Sequence, residues 1–381
     1  MVECWARILG QAGHRVTVVS GAYEGAQPVP EMPGVTSALY HAPVGGRLTG
    51  IFGAARNAVR KLQELDRDRR ADLIISHDPT LAAAIRRAFP ATPLLGTFHS
   101  PAVDENRLGN WKYATSLQRR LTYPATWLAL WLVEWRALRA VSRAHTLSEF
   151  TWRLLSSRYP RACRRVPWHR IPGSFDAERY APPADRIEAR RALGIAPGGT
   201  VLFTVRRLVP RNGVNRIISC AATLKDRAPD LRFLIGGTGP LQAELQRQIE
   251  AAGVSSLVQL LGHIPEDRLP LHYQAADVFL LPTRDLECFG LPVIEAMACG
   301  CPSLVMPEGG PAEICRDHPL WVADANTDEA FTQLVRRHLS ARGQQQKRAT
   351  GIAEEAARLY SNDAIRPQVV QLAEECAAGG G

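Results

Sequence analysis

Eight short, nearly continuous apolar runs punctuate this chain, at 15–20, 71–76, 93–98, 201–205, 231–235, 258–261, 278–281 and 303–306. A strand that is apolar on both faces must be covered on both. That is the mark of parallel strands joined by helical crossovers. The amphipathic stretches 81–89, 214–227, 241–252, 292–299 and 328–342 supply the helices, and Gly300 followed by Pro302 stops the fourth of them. The expected class is α/β, doubly wound, and the pattern occurs twice.

With 381 residues the chain is long enough for two cores. Pro172, Gly173, Pro182 and Pro183 break any helix between the two patterns, so the boundary is expected there. The expected domains are 1–172 and 173–356, with 357–381 a helix crossing back to the first. Open parallel sheets place ligands beyond the carboxyl ends of their strands. Two such domains facing each other would put the active site in the cleft between them.

Cysteine usage and charge narrow the class further. None of the eight cysteines forms a Cys-x-x-Cys pair, and they scatter as small apolar residues would. No zinc ribbon and a reducing, cytoplasmic setting are therefore expected. The opening residues have no basic start and no apolar signal core, and the longest apolar run, 125–133, is far too short to span a bilayer. Asp66-Arg67-Asp68 sits in a charged helix end and reads as a solvated face, so no metal site is expected.

Four segments could carry chemistry. In 282–295 a strand ends, a loop offers Glu287, and Phe289-Gly290-Leu291 opens a helix that carries Glu295. Helix N-termini present free N–H groups and bind phosphate, and glycine lets backbone approach a ligand. Glu287 is placed to meet a hydroxyl-rich group and Glu295 to accept from a ribose diol; alone, the pair reads equally as two solvent-facing glutamates. In 204–214, Arg206, Arg207 and Asn212 lie between a strand end and a helix. Guanidinium groups there suit a pyrophosphate, or form a surface cluster. The loop 235–241, containing Gly239, lacks the third glycine of a dinucleotide fingerprint and is not followed by Gly-Lys-Ser. His99 closes a strand of the first half, a position open to a structural histidine as well as to a functional one.

Taken together and in order, these motifs resemble glycosyltransferase family 4, retaining nucleotide-sugar transferases of the GT-B fold. The likeness covers most of the C-terminal half, including Gly262-His263-Ile264-Pro265 and Gly309-Gly310-Pro311-Ala312-Glu313. In the N-terminal half it rests on residues 12–16, His99 and residues 147–150. The resemblance implies that Arg207 holds the donor diphosphate and Glu287 the donor-sugar hydroxyls, with the Phe289, Gly290 and Leu291 backbone nearby. It implies that Glu295 binds the ribose, that the backbone near Ile264 meets the base, and that His99 sits near the transferred sugar. No cofactor beyond the nucleotide-sugar is implied. Without a metal, fixed cations and helix N–H groups must stabilise the leaving diphosphate, and no protein nucleophile is needed.

Two departures stand out. The family has lysine where this chain has Asn212 and glycine where it has Arg206, so Arg206 is a candidate substitute cation. The family also places a first strand and a glycine-rich loop ahead of the helix matching 2–12. The N-terminal domain is thus expected to lack its first strand, and Met1 to be an internal residue of a longer product.

The charge is local. Residues 106–175 hold thirteen Arg or Lys against two acids, or +11, so the remainder of this +9 chain carries −2. They also hold six of the eight tryptophans, with Trp127, Trp131 and Trp135 at helical spacing. Core packing is one reading. The other is an anionic membrane surface on the inner face, which suits Arg plus Trp and a lipid-linked or envelope glycan acceptor. A soluble natural-product acceptor, or a catalytically impaired sugar- or polyanion-binding protein, are the alternatives. No nucleic-acid module is recognised, and no nucleic-acid partner is expected.

Overall fold

The computed structural model describes residues 1–22, 30, 32–41, 48–67, 69–113, 116–226, 230–341 and 349–379. Asp68, Arg227, Arg342, Gly380 and Gly381 lie outside the described residues, as do the side chains of Trp111 and Arg119. The chain divides into two compact units, Met1–Gly173 with Ile365–Gly381, and Ser174–Ala364. Eleven strands are described: β1 Val16–Ala22, β2 Val35–His41, β3 Ile74–Ser76, β4 Leu94–Thr97, β5 Arg143–Thr146, β6 Trp168–Arg170, β7 Thr200–Val205, β8 Leu231–Gly236, β9 Val258–Gly262, β10 Val278–Leu281 and β11 Ser303–Val305. Every strand pair is parallel.

The helices of the first unit are α1 Val2–Gln11, α2 Leu48–Asp66, α3 Ala82–Ala88, α4 Ala102–Arg107, α5 Leu117–Ala140, α6 Glu149–Arg158 and α7 Pro160–Cys163. Those of the second are α8 Arg186–Ala192, α9 Asn215–Leu224, α10 Gln242–Ala251, α11 Leu269–Ala275, α12 Leu291–Ala298, α13 Gly310–Ile314, α14 Asp328–Ser340 and α15 Ala349–Tyr360. The last helix, α16 Asn362–Ala378, returns to the first unit. Its Ile365, Val369 and Leu372 pack with Trp5, Ile8, Leu95 and Ile171.

The second unit is one five-stranded sheet of order β11-β10-β7-β8-β9. The chain winds outward from β7 through β8 to β9, then jumps back to β10 on the other side of β7. The pair β7 and β10 therefore flanks the topological switch point, where the loops leaving the two strands diverge and leave room for a ligand. Phe203, Tyr273 and Phe279 pack edge to face beneath it, with Tyr273 5.4 Å from each of the other two rings.

The sheet of the first unit is in two pieces, β1-β2 and β3-β4-β5-β6. A cavity of about 1570 Å³ separates them, lined by residues 16–20 of β1, by β3, and by Trp5 and Leu9 of α1. Among the described residues, the edges of β1 and β3 that face it have no strand partner. The parallel sheet of the first unit is interrupted here, with no strand among the described residues between β1 and β3 on the two sides of the cavity.

Trp131 and Trp135 stack at 6.4 Å and pack against the core of the first unit, while Trp152 stacks on Trp168 at 5.2 Å. The tryptophans of the basic segment that reach this core are packing residues. Glu134, buried and next to Trp135 in the chain, accepts from the Ala102 and Val103 N–H groups that open α4 and from the Tyr159 hydroxyl at 2.8 Å. Burial pushes its carboxyl above the usual range despite these donors.

Candidate functional site

The residues at the switch point come from two loops fastened to each other. Residues 206–213 leave β7 and residues 282–290 leave β10. The Arg211 carbonyl accepts from the Arg284 N–H at 2.8 Å and the Asp285 N–H at 3.2 Å. Below them Arg216 of α9 donates to Asp328 at 2.9 Å, to Asn326 at 2.7 Å and to the Pro282 and Thr283 carbonyls. Asn326 in turn donates to the Arg284 carbonyl at 3.1 Å, and Arg284 pairs with Asp328 at 2.9 Å.

Four of the sequence-chosen residues meet in this frame. The Arg206 guanidinium is almost buried and donates to both the Thr283 hydroxyl and the Glu287 carboxylate. Arg206 is therefore engaged by the very carboxylate assigned to sugar hydroxyls, and the two charges offset each other. Arg207, its neighbour, is exposed. Asn212 is buried and donates to the Arg207 carbonyl at 2.7 Å, so it braces the arginine loop through a neutral amide where a lysine would add charge.

Two close approaches shape the walls. A Cβ on Gly239 would lie 2.5 Å from the Leu208 carbonyl oxygen, so the 236–241 turn rests directly on the arginine loop. Gly290 caps α12 at φ 96°, a left-handed conformation that favours glycine, and a Cβ there would press on Pro311 of α13. The Gly310 N–H donates to the Glu287 carbonyl at 2.9 Å, which lays residues 287–289 across the start of α13. Phe289 is buried against Tyr360, Leu291 is exposed, and Ile264 packs over Gly236.

Glu295 lies one turn into α12. It accepts from the Tyr273 hydroxyl at 2.9 Å, and burial pushes its carboxyl upward while that bond pulls it down. Tyr273 carries no sequence signal beyond an apolar helix position, and its role as a partner was missed. The same holds for Thr283 and Arg216.

His99 follows β4 in the first unit. Its Nε2 lies 3.2 Å from Nδ1 of His77, which follows β3. Burial lowers the pKa of His99 to about 4 and of His77 to about 3, so both rings are neutral at pH 7. His77 is a further residue without a sequence signal of its own, although Ser76-His77-Asp78 ends a strand much as Thr97-Phe98-His99 does.

Among the described residues no cluster of three or more His, Cys, Asp or Glu could hold a metal ion, and no helix is long and apolar enough to cross a membrane. All eight cysteines are free thiols. What the second unit gathers at its switch point is two guanidinium groups, two carboxylates, a glycine-rich turn and the N-termini of α12 and α13. Cations and N–H donors of this kind suit an anion, and carboxylates suit hydroxyls.

Comparison with known proteins agrees on the class. Residues 2–179 match the family description Glycosyltransferase Family 4, and residues 185–357 match Glycosyl transferases group 1. A GDP-mannose-dependent alpha-(1-6)-phosphatidylinositol monomannoside mannosyltransferase of Mycolicibacterium smegmatis is 33% identical over 52% of this chain and 54% of its own. The chain thus spans about half the length of that relative. A 2-deoxystreptamine glucosyltransferase of Streptomyces kanamyceticus is 27% identical over 80% of this chain and 79% of its own. Among solved structures, sucrose-phosphate synthase from Thermosynechococcus elongatus superposes with a TM-score of 0.80 at 19% identity, covering 98% of this chain and 92% of that one. With both units matched in turn and the fold shared, the chain belongs to glycosyltransferase family 4 and has the GT-B fold.

Proposed function

We propose that this glycosyltransferase is a retaining, metal-independent hexosyltransferase that moves a sugar from a UDP- or GDP-sugar to a hydroxyl acceptor. The observation that carries this reading is the constellation at the switch point, where Arg206, Arg207 and the α12 N-terminus stand beside Glu287 and Glu295. Arg207 and the N–H groups of Gly290 and Leu291 would take up the charge that develops on the leaving diphosphate. The leaving phosphate would accept the acceptor proton, which supports retention without a protein nucleophile. Glu295, steadied by Tyr273, would accept from the ribose diol, with the base near Ile264. Calorimetric titration with GDP and UDP tests the assignment. One of the two should bind at micromolar level, and Arg207→Ala should weaken it by roughly tenfold to a hundredfold, since a hydrogen bond to a charged group contributes about 1.5–3 kcal/mol. Equal affinity in the variant would remove Arg207 from the diphosphate.

A specific observation also favours a second reading, a sugar-binding protein without turnover. Asn212 is spent on a carbonyl and Arg206 on Glu287. Nucleotide binding with no hydrolysis or transfer across a panel of UDP- and GDP-sugars would decide for it.

For the acceptor, a lipid-linked or envelope glycan on the inner membrane face is supported by the charge of residues 106–175 and by exposed leucines on α5. Leu117 and Leu121 are each 72% exposed and Leu128 is 53% exposed, at helical spacing and close to Lys112 and Arg120. The apolar contribution to such a surface comes from these leucines and not from the core tryptophans. The protein should sediment with anionic liposomes at low salt and be released at high salt, and Leu117→Ser with Leu121→Ser should abolish sedimentation. No sedimentation of the unaltered chain would favour a soluble acceptor, such as the one named for the Streptomyces relative.

A further inference from the structure

We propose that His77 is a positioning residue for His99: it fixes the ring plane and the tautomer of His99, so that Nδ1 of His99 has one hydrogen-bonding role. The proposal rests on the reading of His99 as a residue of the transferase site.

The juxtaposition is built into the sheet. β3 and β4 are parallel neighbours with Ser76 opposite Gly96. The residues that follow each strand emerge at the same edge, which places His77 beside His99. The two nitrogens are 3.2 Å apart, the ring centroids 5.4 Å, and the planes differ by 14°. A short nitrogen contact at that centroid separation means the rings lie nearly edge to edge in one plane. This is the alignment of an N–H···N bond. On its other side His77 meets the buried Trp5 ring edge-on at 5.7 Å and 83°. Trp5 is wedged in turn against His145 at 4.8 Å, so His77 has little freedom to turn.

His145 does not share this role. Its Nε2 donates to the Ile171 carbonyl at 2.9 Å, so its Nδ1 is the acceptor and receives the Thr97 hydroxyl at 3.3 Å. Both nitrogens are committed within the core.

For His77 and His99 the proton count has a definite consequence. Burial keeps both rings neutral at pH 7, so each carries one ring proton. If His77 donates from Nδ1, His99 accepts at Nε2 and carries its proton on Nδ1. If His99 donates from Nε2, His77 accepts at Nδ1 and carries its proton on Nε2. Either way the two rings have the same tautomer and can change only together. His99 then meets its ligand with Nδ1 as a fixed donor in the first state or a fixed acceptor in the second. An isolated imidazole would have to select one of these on binding.

The test combines a spectroscopic and a kinetic readout on the full chain. Long-range ¹H–¹⁵N spectra of histidine-labelled protein at pH 7.5 should show one neutral tautomer, the same for both rings. In His77→Leu the His99 shifts should move to a tautomer average. Turnover of GDP-mannose or UDP-glucose, whichever is used, should fall roughly tenfold in kcat with donor KM held within about twofold. His77→Asn, whose side-chain amide lies close to the place of Nδ1, should recover most of that loss. Unlike tautomers in the unaltered protein, or a His99 signal indifferent to His77→Leu, overturns the proposal. So does a kcat loss that asparagine does not relieve. If neither donor is turned over, the transferase reading of the site fails, while the spectra still decide the histidine pair.

Discussion

Replacing Arg216 by methionine should cost the C-terminal unit about 3–5 kcal/mol, the range found when one partner of a buried ion pair is removed. Arg216 is 2% exposed, and no water can stand in for its five donors. Its loss strands the Pro282, Thr283 and Asn326 carbonyls and halves the cationic partners of Asp328, leaving Arg284 alone. Methionine fills similar space, so the cost falls on the unpaired polar groups and not on a cavity. In scanning calorimetry the transition of this unit should drop by roughly 10 °C. Arg216→Lys should recover only part, because an ammonium cannot reach Asp328 and two carbonyl groups in the geometry of a planar fork. A methionine variant within about 1 kcal/mol of the parent would show that the network is dispensable. The same residue holds the loop that leads to Glu287, so a loosened network should also weaken nucleotide binding in the variant. Stability and function are coupled here by position: the strand end that opens the switch point is the one Arg216 ties down.

The apolar runs identified eight of the eleven strands because most of those strands are buried on both faces, while β1 and β9 are apolar in sequence but only partly buried. The three that escaped explain themselves. β5 reads Arg143-Ala144-His145-Thr146, which looks like surface, yet its last three residues are fully buried. Polar residues can form a central strand when each has a partner, and the Thr97 and Ile171 contacts of His145 lie far away in sequence. β6 is three residues long and begins with a tryptophan that reads as part of a basic patch. β2 lies at the edge of a two-stranded piece and alternates weakly. The candidate site divides along the same line. Glycines, helix starts and carboxylates in order were legible, because backbone geometry demands those residue types wherever the loop is used. The partners were not, because Tyr273, Thr283 and His77 reach their contacts through tertiary packing that no local pattern encodes. Arg206 is the instructive case. The sequence offered it as a spare cation, and only its contact with Glu287 shows that its charge is already matched.

Acid should unfold the N-terminal unit well before it exhausts the carboxylates. Burial lowers the pKa of His145 to about 4, of His99 to about 4 and of His77 to about 3, against an ordinary 6.5. Between about 6.5 and 4 the unfolded chain binds protons at these positions and the folded unit does not. Stability is therefore complete above pH 6.5 and falls as the pH drops through that window. His145, which has no exposed surface, tilts the curve by about 1.4 kcal/mol per pH unit on its own. His77 and His99 add to it in the same sense. Glu134 opposes them, since a carboxyl held above its usual value of about 4.5 takes up its proton first in the folded state and so favours that state as the pH falls. Seven of the eight tryptophans belong to this unit, so denaturant curves followed by tryptophan fluorescence report on it selectively. His145→Gln isolates the central term. Glutamine can still donate to the Ile171 carbonyl but does not titrate. It should lower stability at pH 7.5 through the lost packing of the ring, yet flatten the dependence between pH 6.5 and 5 by one proton. An unchanged slope would place the proton uptake elsewhere. The slope is the decisive quantity, because lost contacts shift the whole curve and only a lost titration changes its inclination.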